Sequence, residues 1–94
     1  MSDGSAVTRV LKIVNEKGLH ARASARFVEV VEAHDARADV SRDGMDVSGD
    51  SIMGLLMLGA SKGTTIHVST RGAEAAKLAD ALEALVANRF GEEY

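Results

Sequence analysis

Apolar residues recur along this chain in two rhythms, one of period two and one of period 3.6. From Val7 to Val14 (VTRVLKIV) they are dense and β-branched, which predicts a strand. Val10 and Leu11 are adjacent, so the alternation leaves open which face is buried. Asn15-Glu16-Lys17-Gly18 ends the strand as a turn. From Ala21 to about Ala33 the spacing becomes helical. Ala23, Phe27, Val30 and Val31 fall on one stripe, while Arg22, Arg26 and Glu29 fall on another that faces water. Ala36, Ala38 and Val40 then alternate with Arg37, Asp39 and Ser41, as in a half-buried strand. Asp43-Gly44 suits a tight hairpin turn, because both central residues must tolerate positive φ, and that register sets Val40 opposite Val47.

Ser51 precedes Ile52-Met53-Gly54-Leu55-Leu56-Met57-Leu58-Gly59, which reads as a short helix with Ser51 as N-cap and Gly59 as the left-handed stop. Thr64 to Thr70 alternates again, with Ile66 and Val68 inward and Thr65, His67 and Ser69 outward. A last helix, from about Ala73 to Asn88, carries the stripe Ala75, Leu78, Ala79, Leu82, Leu85 and Val86. Glu74, Lys77, Asp80 and Glu83 line its opposite face. The order β-α-β-β-α-β-α predicts an α+β fold: a four-stranded antiparallel sheet covered by helices on one face. Residues 1–6 read as a disordered lead-in, 7–90 as one domain and 91–94 as a tail.

Composition narrows the function. Ninety-four residues make one domain, and the absence of cysteine removes disulfide frameworks, thiolate zinc sites and thiol catalysis together. That usage suits a reducing compartment, so a cytoplasmic location is expected. No stretch approaches the roughly 20 apolar residues of a membrane span. Eleven basic against fourteen acidic residues, with one Tyr, two Phe and no Trp, supply neither a phosphate footprint nor a stacking platform for nucleic acid. Three scattered histidines do not argue for a metal site, and no cofactor motif is present.

The chemistry concentrates at Gly18-Leu19-His20-Ala21-Arg22. A chain-turning glycine is followed by an imidazole and a guanidinium two residues apart, at the start of a helix. The first backbone N–H groups of that helix, its dipole and the arginine fork all favour an anion at the same spot, phosphate in particular. An imidazole titrates at about 6.5 when unperturbed, so it is in good part neutral near cell pH and can act as a nucleophile. One arrangement thus prepares His20 and stabilises a phosphoryl group on it, with the amides of Ala21, Arg22 and Ala23 as hydrogen-bond donors to the phosphate. A lone histidine is more often an inert surface residue; the glycine, the helix start and Arg22 shift the balance here. Arg26 by itself reads as solvated charge, His34 as a structural residue near a helix C-terminus and His67 as an exposed strand residue. No carboxylate or second histidine lies near His20 in sequence to act as general base, which disfavours a self-sufficient enzyme.

Ser51 needs no role beyond its cap, but its hydroxyl at a helix start is also a tolerable place for phosphate. The short helix after it is apolar nearly all round, so some of Ile52, Met53, Leu55, Leu56, Met57 and Leu58 must stay exposed. An exposed patch with methionine suits docking of several partners.

Gly18-Leu19-His20-Ala21-Arg22 followed by Asp50-Ser51-Ile52-Met53-Gly54-Leu55, with Leu58-Gly59 and Lys62-Gly63 beyond, resembles the histidine-containing phosphocarrier (HPr) family over Val7 to about Phe90. The resemblance implies an open-faced β-sandwich. It implies that His20 accepts phosphate on Nδ1 from phospho-enzyme I and passes it to an enzyme II A-type domain, and that Arg22 steadies the phosphoryl group. It implies that an HPr kinase/phosphorylase acts on Ser51, and that Ile52, Met53 and Leu56 form the partner-binding patch, with which Ala25 and Arg26 are counted. A monomeric carrier without independent turnover is expected. Family members usually have proline directly after the arginine, where this chain has Ala23. That implies altered exchange rates with activity retained, and the HARAS wording and acidic ending resemble forms that regulate metabolism or nitrogen use. The alternative is a mainly regulatory module acting through Ser51 and the apolar short helix.

Overall fold

The computed structural model describes residues 6–94, so the lead-in expected over Met1–Ala6 lies, through residue 5, outside the described residues. In chain order the elements are β1 (Val7–Lys12), α1 (Ala21–Glu32), β2 (Arg37–Arg42), β3 (Met45–Ser48), α2 (Ile52–Met57), β4 (Thr65–Arg71) and α3 (Ala75–Ala87). A single 3-10 turn, Arg89–Gly91, follows. The strands form one antiparallel sheet in the order β1-β4-β2-β3, so β4 is inserted between the two strands that precede it in sequence. This is the α+β architecture expected from the pattern.

The sheet resolves the ambiguity in the first strand. Leu11 is buried and Val10 is 61% exposed, because Leu11 pairs with Ile66 and shares its face of the sheet. Ala38, Val40, Ile66 and Val68 complete that face, which the helices cover. His67 is exposed on the other side, as expected. β1 is shorter than the apolar run suggested. It ends at Lys12, and Ile13 turns instead to Thr64 and Gly63 through backbone bonds of 2.8 and 2.7 Å.

The hairpin forms as its sequence dictates. Asp43 and Gly44 have φ of 50° and 81°, and Val40 pairs with Val47. In α1, Ala23, Phe27 and Val31 are buried, but the covered sector extends to Ser24 and Val28 while Val30 is only half-buried. The reason is that α1 packs against both α2 and α3. In α3 the expected stripe is buried except for Leu85, which is half-buried. The helix starts at Ala75, two residues later than its pattern, because Glu74 is tied to Asp35: its N–H donates to the Asp35 carbonyl at 2.9 Å and its carboxylate accepts from the Asp35 amide at 2.7 Å. Thr70, wholly buried, donates its hydroxyl to the Ala75 carbonyl at 2.7 Å and so fixes the turn from β4 into α3.

Candidate functional site

The loop Asn15–His20 is held to the segment after α2. Leu19 N donates to Ala60 O at 2.9 Å, and His20 N donates back to Gly18 O at 2.9 Å. The chain then enters α1 with His20 as its N-cap, extended at φ −79° and ψ −176°. His20 O accepts the first intrahelical bond, from Ser24 N at 2.8 Å. Its ring caps the helix too: Nδ1 accepts from Arg22 N at 3.3 Å, so this nitrogen carries the lone pair. Nδ1 therefore faces the amide end of the helix, where Ala21, Arg22 and Ala23 precede the first bonded turn. Ala21 and the Arg22 side chain are exposed, whereas Ala23 is fully buried.

The other ring nitrogen is occupied. His20 Nε2 contacts Glu92 Oε2, an ion pair if the ring is protonated and a hydrogen bond if it is neutral. Glu92 was not legible as a site residue. No carboxylate lies near His20 in sequence, and the fold brings this one from 72 positions away. Asn15, fully buried, donates through Nδ2 to Glu92 Oε1 at 2.9 Å and to Gly18 O at 2.8 Å. Burial raises the Glu92 carboxyl, but hydrogen bonds from Asn15 and His20, with attraction from His20 and Lys17, lower it more, so it lies below its ordinary value. The signal that could have revealed it is Phe90, a large apolar residue beyond the last helix. Phe90 is wholly buried and turns the tail back toward His20.

A cavity of about 520 Å³ opens beside this network, lined by Glu16, Lys17, Arg22, Glu92, Glu93 and Tyr94. His20 does not line it. Its charges are mixed. Glu16 is held below its usual range by the hydrogen bond and charge of Lys62, 2.8 Å away, which leaves Lys17 and Arg22 as the cationic side chains of the lining.

Ser51 caps α2, its Oγ accepting from Gly54 N at 2.9 Å. Leu55 and Leu58 are buried, while Ile52, Met53, Leu56 and Met57 are exposed, Met53 by 69%. The short helix thus divides between core and surface. Ala25 is half-buried and Arg26 exposed on α1. Arg26 lies over the tail turn, where a Cβ on Gly91 would come within 3.2 Å of its Nη1. His34 donates through Nδ1 to Val30 O at 2.7 Å, the structural part expected of it.

The family model described as the PTS HPr component phosphorylation site matches residues 7–88. The chain belongs to the HPr family. Among relatives, phosphocarrier protein HPr of Cupriavidus necator is 45% identical over 80 residues, covering 85% of this chain and 90% of the relative. Phosphocarrier protein HPr of Neisseria meningitidis serogroup A is 43% identical over 82 residues, covering 87% and 92%. The crystal structure of HPr-C-His from Thermoanaerobacter tengcongensis superposes with a TM-score of 0.88 at 34% identity, covering 94% of this chain and 99% of that one. As an HPr-family member the chain is a phosphocarrier of the phosphotransferase system, with the four-stranded sheet and three helices of HPr structures. No helix among the described residues is long and apolar enough to cross a membrane.

Proposed function

We propose that His20 takes a phosphoryl group on Nδ1 from phospho-enzyme I and delivers it to an enzyme II A-type domain. The observation that carries this reading is the orientation of the ring: Nδ1 meets the Arg22 amide at the start of α1, while Nε2 is engaged elsewhere. An N-phosphoryl group on Nδ1 would lie against the positive end of the helix, within reach of a flexible, exposed arginine. The bond so formed is reactive, which suits a group that is passed on. The chain supplies no substrate chemistry of its own, and the donor and acceptor proteins complete the machinery.

Docking is assigned to Ile52, Met53 and Leu56, joined by Ala25 and Arg26 of α1. Exposed methionine and isoleucine on a short helix adapt to more than one partner. Incubation with phosphoenolpyruvate and enzyme I, followed by intact-mass measurement, tests the carrier reading. An acid-labile adduct of one phosphate, lost in His20→Ala, is expected. An acid-stable adduct alone would transfer the weight to a regulatory role.

That regulatory role has its own support. The Ser51 hydroxyl caps α2 directly beside Ile52 and Met53, so phosphate there would put about two negative charges at the edge of the patch. A serine kinase of the HPr kinase/phosphorylase type would use this site to weaken docking to enzyme I without unfolding the helix.

A further inference from the structure

The tail after α3 follows an unusual path. Arg89, Phe90 and Gly91 all have left-handed backbone, with φ of 56°, 55° and 81°. For two non-glycine residues in succession this is costly, and it persists only where the surroundings over-determine it. Phe90 supplies the anchor in the core, and the next residue is Glu92. One carboxylate oxygen of Glu92 accepts from Asn15 Nδ2 at 2.9 Å, and the other meets His20 Nε2. Asn15 is itself committed to this arrangement. Both acceptors of its Nδ2 are fixed, and its buried Oδ1 is left without a partner among the described residues.

Since Nδ1 accepts from Arg22 N, the single proton of the neutral ring belongs on Nε2, and a carboxylate can only accept it. We propose that Glu92 is a positioning residue for phosphoryl transfer: it holds the proton on Nε2, leaves Nδ1 as the one nitrogen able to attack phosphorus, and offsets the charge the ring then acquires. The proposal rests on the carrier function proposed for His20. In the transfer, the Nδ1 lone pair forms the N–P bond as the bond from phosphorus to the donor's leaving atom breaks. The leaving atom keeps that electron pair, and the Nε2 proton stays in place. The His20 ring becomes formally cationic, and the carboxylate of Glu92 stands against it, as an acidic partner does for a catalytic imidazolium. The other charged groups around the ring, Lys17, Arg22, Glu16 and Glu93, line the neighbouring cavity and do not contact Nε2.

The test is regiochemical. The full chain, Glu92→Gln and Glu92→Ala are treated with phosphoramidate, a small donor that phosphorylates imidazole with loss of ammonia and needs no docking. His34→Gln and His67→Gln are carried in all three proteins, so that His20 is the only imidazole present, and its isomers are then assigned by 31P and 15N NMR. Glu92→Gln keeps the shape but offers one acceptor to two donors, Asn15 Nδ2–H and His20 Nε2–H. The unaltered chain should give the Nδ1 isomer alone, and both variants a mixture containing the Nε2 isomer. Phosphoryl acceptance from phospho-enzyme I should fall roughly tenfold in both, the scale on which partners of functional imidazoles act, at unchanged affinity for enzyme I. An Nε2 product from the unaltered chain, or equal rates and a single Nδ1 isomer in the variants, overturns the assignment of Glu92. Failure of His20 to accept phosphate from either donor would instead overturn the carrier reading. Glu92→Gln keeps the test decisive should the alanine variant unfold.

Discussion

Gly18 runs so close to Ala60 that a Cβ on it would sit 2.6 Å from the Ala60 carbonyl oxygen and 2.9 Å from Ser61 Cα. Both obstacles are backbone, and the φ of +67° is itself unfavourable for any side chain. The same carbonyl accepts from Leu19 N, so the loop leading to His20 is fixed by one close approach. Gly18→Ala should therefore cost about 1–3 kcal/mol in stability. A lower denaturant midpoint with displaced Leu19 and His20 amide resonances is the expected result. An unchanged midpoint would show that the loop can move aside freely.

Ser51 separates two effects that a single substitution usually confounds. Ser51→Ala removes the acceptor for Gly54 N and should cost about 1 kcal/mol, or roughly 4–8 °C in Tm for a domain of this size. Ser51→Asp keeps a capping oxygen, so its Tm should stay near that of the unaltered chain. Binding to enzyme I, followed by calorimetry, should nevertheless weaken through charge beside Ile52 and Met53. Equal affinity would show that the cap is remote from the docking surface.

Arg22 is exposed, and no side-chain bond of it contributes to packing in the described structure. Arg22→Ala should change stability by no more than about 0.5 kcal/mol. Loss of a charge-assisted contact to phosphate, worth about 1.5–3 kcal/mol, should slow transfer tenfold or more. Quench-flow with phospho-enzyme I measures this, and an unaltered rate would mean that the helix amides suffice.

The Glu92 carboxyl gives a pH dependence of known sign. Its folded value lies below the ordinary 4.5 despite the opposing effect of burial, through the hydrogen bonds of Asn15 and His20 and the charges of His20 and Lys17. A carboxyl lowered on folding contributes stability that is complete above its unfolded value and is lost as pH falls through its folded one. A 13C titration should place the Glu92 midpoint below 4.5, with Glu92–Tyr94 loosening over the same interval. Asn15→Ala should raise that midpoint, because it removes one of the lowering bonds. A midpoint at or above 4.5 in the unaltered chain would contradict the network.

Local chemistry made most of the fold and much of the site legible in the sequence. Asp43-Gly44 specifies its hairpin because the turn demands positive φ at two adjacent positions, and Ser51 announces α2 because the bond it accepts comes from three residues away. His20 and Arg22 stand out for the same reason, since the helix that presents them begins between them. What escaped depends on contacts between distant segments. The late start of α3 follows from Glu74 turning to Asp35, and the burial of Val28 in place of Val30 follows from α1 packing on two helices. Glu92 reaches His20 across 72 positions through left-handed residues that no local propensity predicts.

The placing of β4 between β1 and β2 bears on when the protein becomes competent during its own synthesis. β1, from which the His20 loop springs, has β4 as its neighbour in the sheet, and Phe90 fills the core still later in the chain. The imidazole emerges early from the ribosome, but the frame that aims it is assembled from the last third of the chain. A chain made only through α2 therefore carries the histidine without the frame that aims it.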